Sequence, residues 1–181
     1  MKIISGSLKG RNIKGYDIDG TRPTMDRVKE SLFGIIQNYV CDSYVLDLFA
    51  GTGNLGFEAI SNGAQFCYFN DLNKKCVALI ENNILEFNIR EQAKVLNFDY
   101  KDALVYFKNK NIKFDLIFLD PPYKKEVINE ILKYIYDNSL LNTGGIVICE
   151  SDSLYVDFAL YEKIKEKKYG DKYIVIYKNN L

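Results

Sequence analysis

The sequence predicts an α/β fold in which a mostly parallel sheet ends in a carboxyl-terminal antiparallel hairpin. The first observation is that short apolar runs alternate with segments of helical periodicity, as in strands joined by right-handed crossovers. The second is a glycine-rich turn directly after the first of these runs. The third is composition: 48% of the 181 residues are hydrophobic and 14% are aromatic. A chain of this kind can bury a sizeable core.

The amino-terminal segment differs in pattern from the rest of the chain. Glycines at positions 6, 10, 15 and 20 separate short segments, which predicts a β-hairpin or an extended arm. From residue 26 to residue 39, apolar side chains recur at helical spacing after Thr24, which predicts an amphipathic helix. We therefore interpret residues 1–40 as an extension and residues 43–181 as the core of a single domain.

The core contains five apolar runs that predict strands, at residues 45–49, 66–69, 94–96, 114–119 and 145–149. Helical periodicity is clearest at 74–87 and 127–136, and a further helix is expected at 55–62. Residues 160–168 and 172–178 predict the antiparallel hairpin, although the alternation at 163–168 leaves a helix possible for its first arm.

The composition of the chain excludes several classes of mechanism and site. The chain has no histidine, which excludes every mechanism built on an imidazole base. Its four cysteines lie far apart without a CxxC pair, so we expect neither a metal site nor a disulfide framework. No apolar run approaches the ~20 residues of a membrane span, and the amino terminus lacks the apolar run of a signal peptide. We expect a cytoplasmic protein.

The glycine loop spans residues 51–56 and has the spacing GxGxxG, which alone is a weak signal. It suits either a dinucleotide or S-adenosylmethionine, because glycines let a ligand approach the backbone closely. Asp47, four residues before Gly51, would repel a pyrophosphate but attract the cationic methionine end of S-adenosylmethionine. Asp71 can accept both ribose hydroxyls of either cofactor. The position of Asp47 favours S-adenosylmethionine over a dinucleotide. The alternative is that the glycines only form a turn between a strand and a helix.

The tetrad Asp-Pro-Pro-Tyr at residues 120–123 follows an apolar run that predicts a central strand. Its prolines have no N–H, so the segment presents carbonyl oxygens and the carboxylate of Asp120. Such acceptors can hold the two hydrogens of an exocyclic amine and aim its lone pair at a methyl donor, while Tyr123 can stack on the base. The base must then leave its helix or come from a single-stranded loop. Guanine and adenine satisfy this acceptor geometry equally well.

With these motifs, the sequence resembles the bacterial 16S ribosomal RNA guanine-N2 methyltransferases of the methyltransferase-D type. The matching stretches include residues 3–6, 10–11, 45–53, 120–123 and 169–171. The glycine loop and the tetrad are shared widely among amino-methyltransferases. The string at 22–24 with 26–28, Arg-Pro-Thr followed by Asp-Arg-Val, is much narrower and selects this family.

The resemblance implies a Rossmann-like seven-stranded methyltransferase sheet, a guanine in 16S RNA as target, and the small ribosomal subunit or its assembly intermediate as partner. We expect a monomer without a metal. The implied adenine pocket lies at Asp102 and Ala103, with Asp99 as a competitor. The implied cofactor residues are Asp47, Phe49, Ala50, Gly51, Thr52, Gly53, Asp71, Leu72, Asp102 and Ala103. The implied residues at the amine are Asp120, Pro121, Pro122 and Tyr123.

Residues 1–30 carry a local excess of positive charge although the whole chain is neutral. Seven Lys and Arg side chains, Lys29 among them, stand against four acids, so we expect phosphate contacts from this region. An ordinary solvated arm is the alternative. The predicted RNA-binding residues are Lys9, Arg11, Arg22 and Arg27.

Three other functions fit parts of the pattern. A DNA adenine-N6 methyltransferase would use the same tetrad but usually needs an added segment to read sequence. A nicotinamide dehydrogenase would use the glycine loop and leave the tetrad without a role. A non-catalytic ribosome-assembly factor would keep the fold but would not need the intact Asp47 and Asp120.

Overall fold

The structure is a computed structural model that describes residues 1–15, 23–121, 125–151, 158–170 and 172–181. Its centre is a sheet of seven strands in the order β3-β2-β1-β4-β5-β7-β6. The first five run parallel, while the last two form an antiparallel hairpin on the edge. The predicted fold class is therefore confirmed. The strands are β1 (Tyr44–Asp47), β2 (Phe66–Asn70), β3 (Ala93–Leu96), β4 (Phe114–Leu119), β5 (Leu141–Ser151), β6 (Glu162–Tyr169) and β7 (Lys172–Lys178).

Within the described residues, five α-helices connect or flank these strands, with short 3-10 turns at Gln37–Tyr39 and Arg90–Gln92. The first helix begins at a proline, earlier than predicted, because a proline fits the first helical position, where its missing N–H would have no partner. The fourth helix was not singled out in the sequence because only three of its residues are buried. The helices are α1 (Pro23–Ile36), α2 (Asn54–Ser61), α3 (Lys74–Phe87), α4 (Tyr100–Asn109) and α5 (Lys125–Asp137).

The core forms two layers, one on each face of the sheet. Side chains of α1, α2 and α3 pack on one face, and side chains of α4 and α5 pack on the other. Successive residues of β4 enter alternate layers: Leu116 and Phe118 join the first, Ile117 and Leu119 the second. All four are at most 1% exposed, so β4 is the central strand that its apolar run predicts.

The amino-terminal segment is a compact loop rather than a regular hairpin. A single antiparallel bridge joins Lys2 to Asn12. The loop lies so close to α2 that a Cβ on Gly6 would stand 1.7 Å from the carbonyl oxygen of Ser61. The hairpin prediction is thus only partly met: the N–H groups of Ile3 and Ile13 donate to the opposite arm of the segment, whereas those of Ile4 and Ser5 donate to Glu58 of α2.

A buried ion pair ties this loop to two helices. The ammonium of Lys29 in α1 lies 2.9 Å from the carboxylate of Glu58 in α2, and the two side chains are 2% and 0% exposed. Glu58 also accepts the backbone N–H groups of Ile4 and Ser5. Lys29 counts towards the positive charge of residues 1–30, but it does not add to a phosphate-binding surface because its charge is buried and paired within the fold.

The carboxyl-terminal hairpin consists of strands in both arms, which excludes the helical alternative for 163–168. Most side chains of β6 are exposed, since the strand lies on the sheet edge. Among the described residues, no helix has the length and apolar character that a membrane crossing requires.

Candidate active site

A crevice of about 1070 Å³ opens at the carboxyl ends of the parallel strands. This is the edge where open α/β sheets bind ligands. The glycine loop after β1 and the start of the tetrad after β4 meet here, as the sequence predicts from their positions. The residues that line the crevice include Phe49, Gly51, Asp71, Leu72, Asp99, Asp120, Pro121, Glu150 and Lys172.

The three glycines of the loop have different structural roles. Gly51 and Gly53 have positive φ angles of 55° and 81°. A Cβ on Gly53 would stand 2.7 Å from the ring of Phe57, and one on Gly56 would stand 2.2 Å from the ring of Phe69. Gly53 and Gly56 therefore permit the close packing of α2. A Cβ on Gly51 would meet no atom within 4 Å, and this residue alone of the three lines the crevice.

Asp71 holds the loop against the end of β2. One carboxylate oxygen accepts the N–H of Gly51 at 2.7 Å, and the other accepts the N–H of Asn73 at 2.8 Å. Asn73 in turn caps α3, since its side chain accepts the N–H of Lys75. The carboxylate thereby has a defined orientation at the crevice wall, where its remaining lone pairs can accept hydroxyl groups.

Asp47 lies at the end of β1 and is 3% exposed. Its carboxylate accepts the N–H of Gly56 at 3.0 Å. Burial is the main cause that raises the pKa of Asp47 to about 7. The hydrogen bond from Gly56 opposes this rise, and the charges of Asp120 and Asp71 add to it. The carboxylates of Asp47, Asp71 and Asp120 make this region favourable for a cation and unfavourable for a pyrophosphate.

The residues before and between the glycines of the loop differ in their access to the crevice. Phe49 lines it, and its ring packs against that of Tyr100 with centroids 5.7 Å apart. Ala50 is buried and, like Thr52, is not part of the crevice wall. The hydroxyl oxygen of Thr52 is buried and has no hydrogen-bond partner among the described residues.

At the far end of the crevice the structure distinguishes the two acids considered for the adenine pocket. Asp99 lines the crevice and caps α4 by accepting the N–H of Lys101. Asp102 lies in the first turn of α4, outside the crevice wall, and Ala103 is fully buried. Leu72, which is 69% exposed, contributes apolar surface to the same wall. The placement favours Asp99 over Asp102 for contact with a ligand.

The tetrad is described as far as its second residue, and Pro122 and Tyr123 lie outside the described residues. Asp120 and Pro121 both line the crevice. Asp120 reaches solvent at the mouth, but protein surrounds much of its carboxyl group. This partial burial is the main cause that raises the pKa of Asp120 to about 6. The charge of Glu150 adds to the rise and that of Lys172 opposes it.

Glu150 and Lys172 are crevice residues that the sequence patterns did not identify. Glu150 comes directly after the apolar run 145–149, at the carboxyl end of the strand next to β4. The rule that identified Asp120, a charged residue at the end of a buried parallel strand, could have identified Glu150 as well. Lys172 begins an antiparallel strand, so its place at the same edge depends on strand order that the sequence pattern did not reveal.

The predicted RNA-binding residues differ in their exposure and in their contacts within the fold. Lys9 and Arg27 are exposed. Arg11 is also exposed, but its guanidinium donates to the carbonyl oxygen of Glu86 at 3.1 Å and lies over the ring of Phe87. Arg22 lies outside the described residues. The described residues also contain no group of three or more acidic, cysteine or histidine side chains that could hold a metal ion.

The strand order, the glycine loop and the acidic crevice define the Rossmann-like class of S-adenosylmethionine-dependent methyltransferases. A family model described as conserved hypothetical protein 95 matches residues 1–178. The chain belongs to this family, that of the methyltransferase-D type, and the resemblance stated from its motifs is confirmed.

Known relatives agree with this assignment. "Putative rRNA methyltransferase YlbH" of Bacillus subtilis is 39% identical over 152 residues, covering 84% of this chain and 83% of its own length. The ribosomal RNA small subunit methyltransferase D of Haemophilus influenzae is 33% identical, with 99% and 94% covered. The solved structure of "Putative methyltransferase yhhF" from Escherichia coli superposes with a TM-score of 0.86 at 25% identity, covering 100% of this chain and 99% of the other.

Proposed function

We propose that this protein transfers a methyl group from S-adenosylmethionine to the exocyclic N2 amine of one guanine in the 16S RNA of the small ribosomal subunit. The observation that carries this proposal is that Asp120 and Pro121 share one crevice with Gly51 and Asp71. The groups proposed to hold the amine and those proposed to hold the cofactor thus lie at one sheet edge. Family membership supports ribosomal RNA as the substrate class, since several relatives carry names of ribosomal RNA methyltransferases.

The crevice residues fit S-adenosylmethionine. The acids around the loop suit its ammonium and sulfonium charges, and the open space beside Gly51 allows a ligand to approach the backbone. Asp71 presents acceptors suited to ribose hydroxyls, while Asp99 and Leu72 line the wall where a purine ring would lie. In this assignment Phe49 and Asp47 complete the methionine end, and Asp99 replaces Asp102 and Ala103 at the adenine.

When bound by these residues, S-adenosylmethionine would supply an electrophilic methyl group whose leaving group is a neutral thioether. Asp120 acts on the other reactant: with a pKa of about 6, it is mostly ionised at neutral pH and accepts a hydrogen of the guanine amine. Together with the carbonyl oxygen of Pro121, it orients the amine lone pair towards the methyl. The methylated amine then carries one proton too many. Asp120 can accept this proton and release it to water.

RNA phosphates would be contacted by exposed residues of the amino-terminal region, among which Arg11 lies at the carboxyl end of α3, the end opposite Asp71. Lys9, Arg11 and Arg27 are exposed there and can contact phosphates. The side chain of Lys29, two residues after Arg27, bonds to Asn54, which is the first residue of α2 and lies within the glycine loop. At Lys29, α1 therefore lies beside the glycine loop. Arg11 would exchange its bond to the carbonyl oxygen of Glu86 for a phosphate.

Methyl transfer to three substrates tests the proposed function. The protein is incubated with labelled cofactor and with small ribosomal subunits that lack their native methylation, naked 16S RNA, or duplex DNA, and the labelled base is then mapped. We expect label on guanine N2 in small subunits. Label on DNA adenine would replace the proposal with an adenine-N6 activity. Absence of both label and cofactor binding would replace it with a non-catalytic assembly role.

A further inference from the structure

Two charged side chains lie beside Asp120 in the crevice, and the proposed methyl-transfer step does not use them. β4 and β5 pair in parallel up to Leu119 and Cys149, so Asp120 and Glu150 are the next residues of adjacent strands. Lys172, at the start of β7, forms an ion pair with Glu150. All three residues line the crevice.

The three charges interact with one another. The negative charge of Glu150 raises the pKa of Asp120, and the positive charge of Lys172 lowers it. Glu150 therefore repels Asp120 in the folded protein, which a purely structural role does not explain. The Glu150 side chain is 19% exposed and that of Lys172 is 55% exposed, so both can reach a ligand in the crevice. A carboxylate with several lone pairs and an ammonium with three donors retain capacity for further hydrogen bonds while paired.

We propose that Asp120, Glu150 and Lys172 together read the Watson–Crick edge of the target base and select guanine over adenine. This inference rests on the proposed function and specifies its substrate. The side chains offer an acceptor, a second acceptor and a donor. Guanine presents the complementary row of N2–H, N1–H and the O6 acceptor. Asp120 accepts from the amine to be methylated, Glu150 accepts from N1–H, and Lys172 donates to O6.

Adenine does not match this row. With its amine at Asp120, its unprotonated N1 would face the carboxylate of Glu150, and its C2–H would offer Lys172 no acceptor. Both charged groups would lose water without gaining a partner, which costs more than a hydrogen bond that is merely absent. The acceptors of the tetrad cannot distinguish the two bases. Glu150 and Lys172 supply the discrimination between guanine and adenine that the tetrad lacks.

The test uses a base that keeps the reactive amine but alters the rest of the edge. Small subunits are reconstituted with 16S RNA carrying guanine or 2,6-diaminopurine at the mapped position. In diaminopurine the 2-amine remains, while N1 becomes an acceptor and position 6 carries an amine. For the wild-type protein we expect kcat/KM to be about a hundredfold lower on diaminopurine, since a site built to hydrogen-bond one base rejects its mismatched analogue strongly.

The informative variant is Glu150→Gln, because its amide can donate to the unprotonated N1 of diaminopurine. We expect the guanine preference to fall at least about tenfold, the effect of one mismatched hydrogen-bond partner. Cofactor affinity measured by calorimetry should stay unchanged. The matched control is Glu166→Gln, which removes a carboxylate that also pairs with a lysine, on the exposed edge strand outside the crevice wall. Its guanine preference should equal that of the wild type.

A second variant tests the inference independently in case Glu150→Gln does not fold. Lys172→Met alters a half-exposed side chain and should lower the preference for guanine over 2-aminopurine, which keeps the amine but has no O6. An unchanged base preference in both variants would overturn the inference while guanine methylation by the wild type leaves the proposed function standing. If the wild type does not methylate guanine, the proposed function fails first.

Discussion

At the residue scale, Asp47 couples the stability of the protein to pH. Its pKa is about 7 in the folded chain against an ordinary value of 3.8, so folding is favoured while the group is protonated. This contribution is fully present below pH 3.8 and is lost as the pH rises through 7. Asp47→Asn can still accept the Gly56 N–H but carries no charge. We expect it to raise the free energy of unfolding at pH 8 by about 1–3 kcal/mol, and to change it little at pH 4.

Urea unfolding at the two pH values measures this difference. The control is Glu81→Gln, which neutralises an exposed acid on α3 and should give the same small change at both. If Asp47→Asn changed the free energy of unfolding equally at pH 4 and pH 8, the ionised carboxylate of Asp47 would not destabilise the fold.

Asp47 should also make cofactor binding depend on pH. A cationic ligand prefers the ionised carboxylate, which is lost as the pH falls below about 7. We therefore expect calorimetry to give wild-type affinity for S-adenosylmethionine several-fold weaker at pH 6 than at pH 8. Asp47→Asn should bind weakly at both. If the wild-type affinity were the same at pH 6 and pH 8, the charge of Asp47 would not contribute to binding of the cationic cofactor.

Gly51 tests whether the loop is shaped for a ligand or only for a turn. Gly51→Ala places a methyl group in open space at the crevice, on a backbone with positive φ. Gly144→Ala introduces the same conformational cost, about 1 kcal/mol, and likewise meets no atom, but it lies outside the crevice wall. We expect equal losses of stability, with cofactor affinity reduced at least tenfold only in Gly51→Ala. Equal affinities in the two variants would mean that the loop does not contact the cofactor.

At the element scale, the buried pair of Lys29 and Glu58 joins α1, α2 and the amino-terminal loop. Lys29→Met leaves the Glu58 carboxylate buried without its cation, so we expect a loss of about 3–5 kcal/mol in urea unfolding. The matched control Lys14→Met breaks an exposed pair with Glu86 and should cost less than about 1 kcal/mol. Similar losses in the two variants would contradict a structural role for the buried pair.

The same pair shows why some elements could not be predicted from the sequence. Apolar periodicity located α3 over its whole length and every strand of the parallel sheet within a few residues, because burial imposes the pattern. The apolar periodicity gives no information about the hydrogen-bond partners of polar groups. It could not reveal that Ile4 and Ser5 bond to a buried carboxylate instead of a hairpin partner, nor that Lys29 is internal.

At the scale of the whole molecule, the strand order decides which side chains meet. The sequence placed Gly51, Asp71 and Asp120 at one sheet edge, because all three follow strands of the parallel series. Lys172 could not be assigned to this edge because its place there depends on β7 lying next to β5, whereas Glu150 follows from its position at the end of a parallel strand. Asp99 and Asp102 could be separated only by knowing where β3 ends and α4 begins.

The most direct test of the account compares methyl transfer by the wild type and by Asp120→Ala. Both receive labelled cofactor and small ribosomal subunits that lack the modification. We expect kcat/KM to fall at least about a hundredfold in the variant, as for loss of a group that acts in the transition state. Its affinity for the cofactor should fall far less than kcat/KM, because Asp47 and Asp71 still supply negative charge beside the glycine loop. Undiminished transfer by the variant would contradict the assignment of Asp120 to the guanine amine.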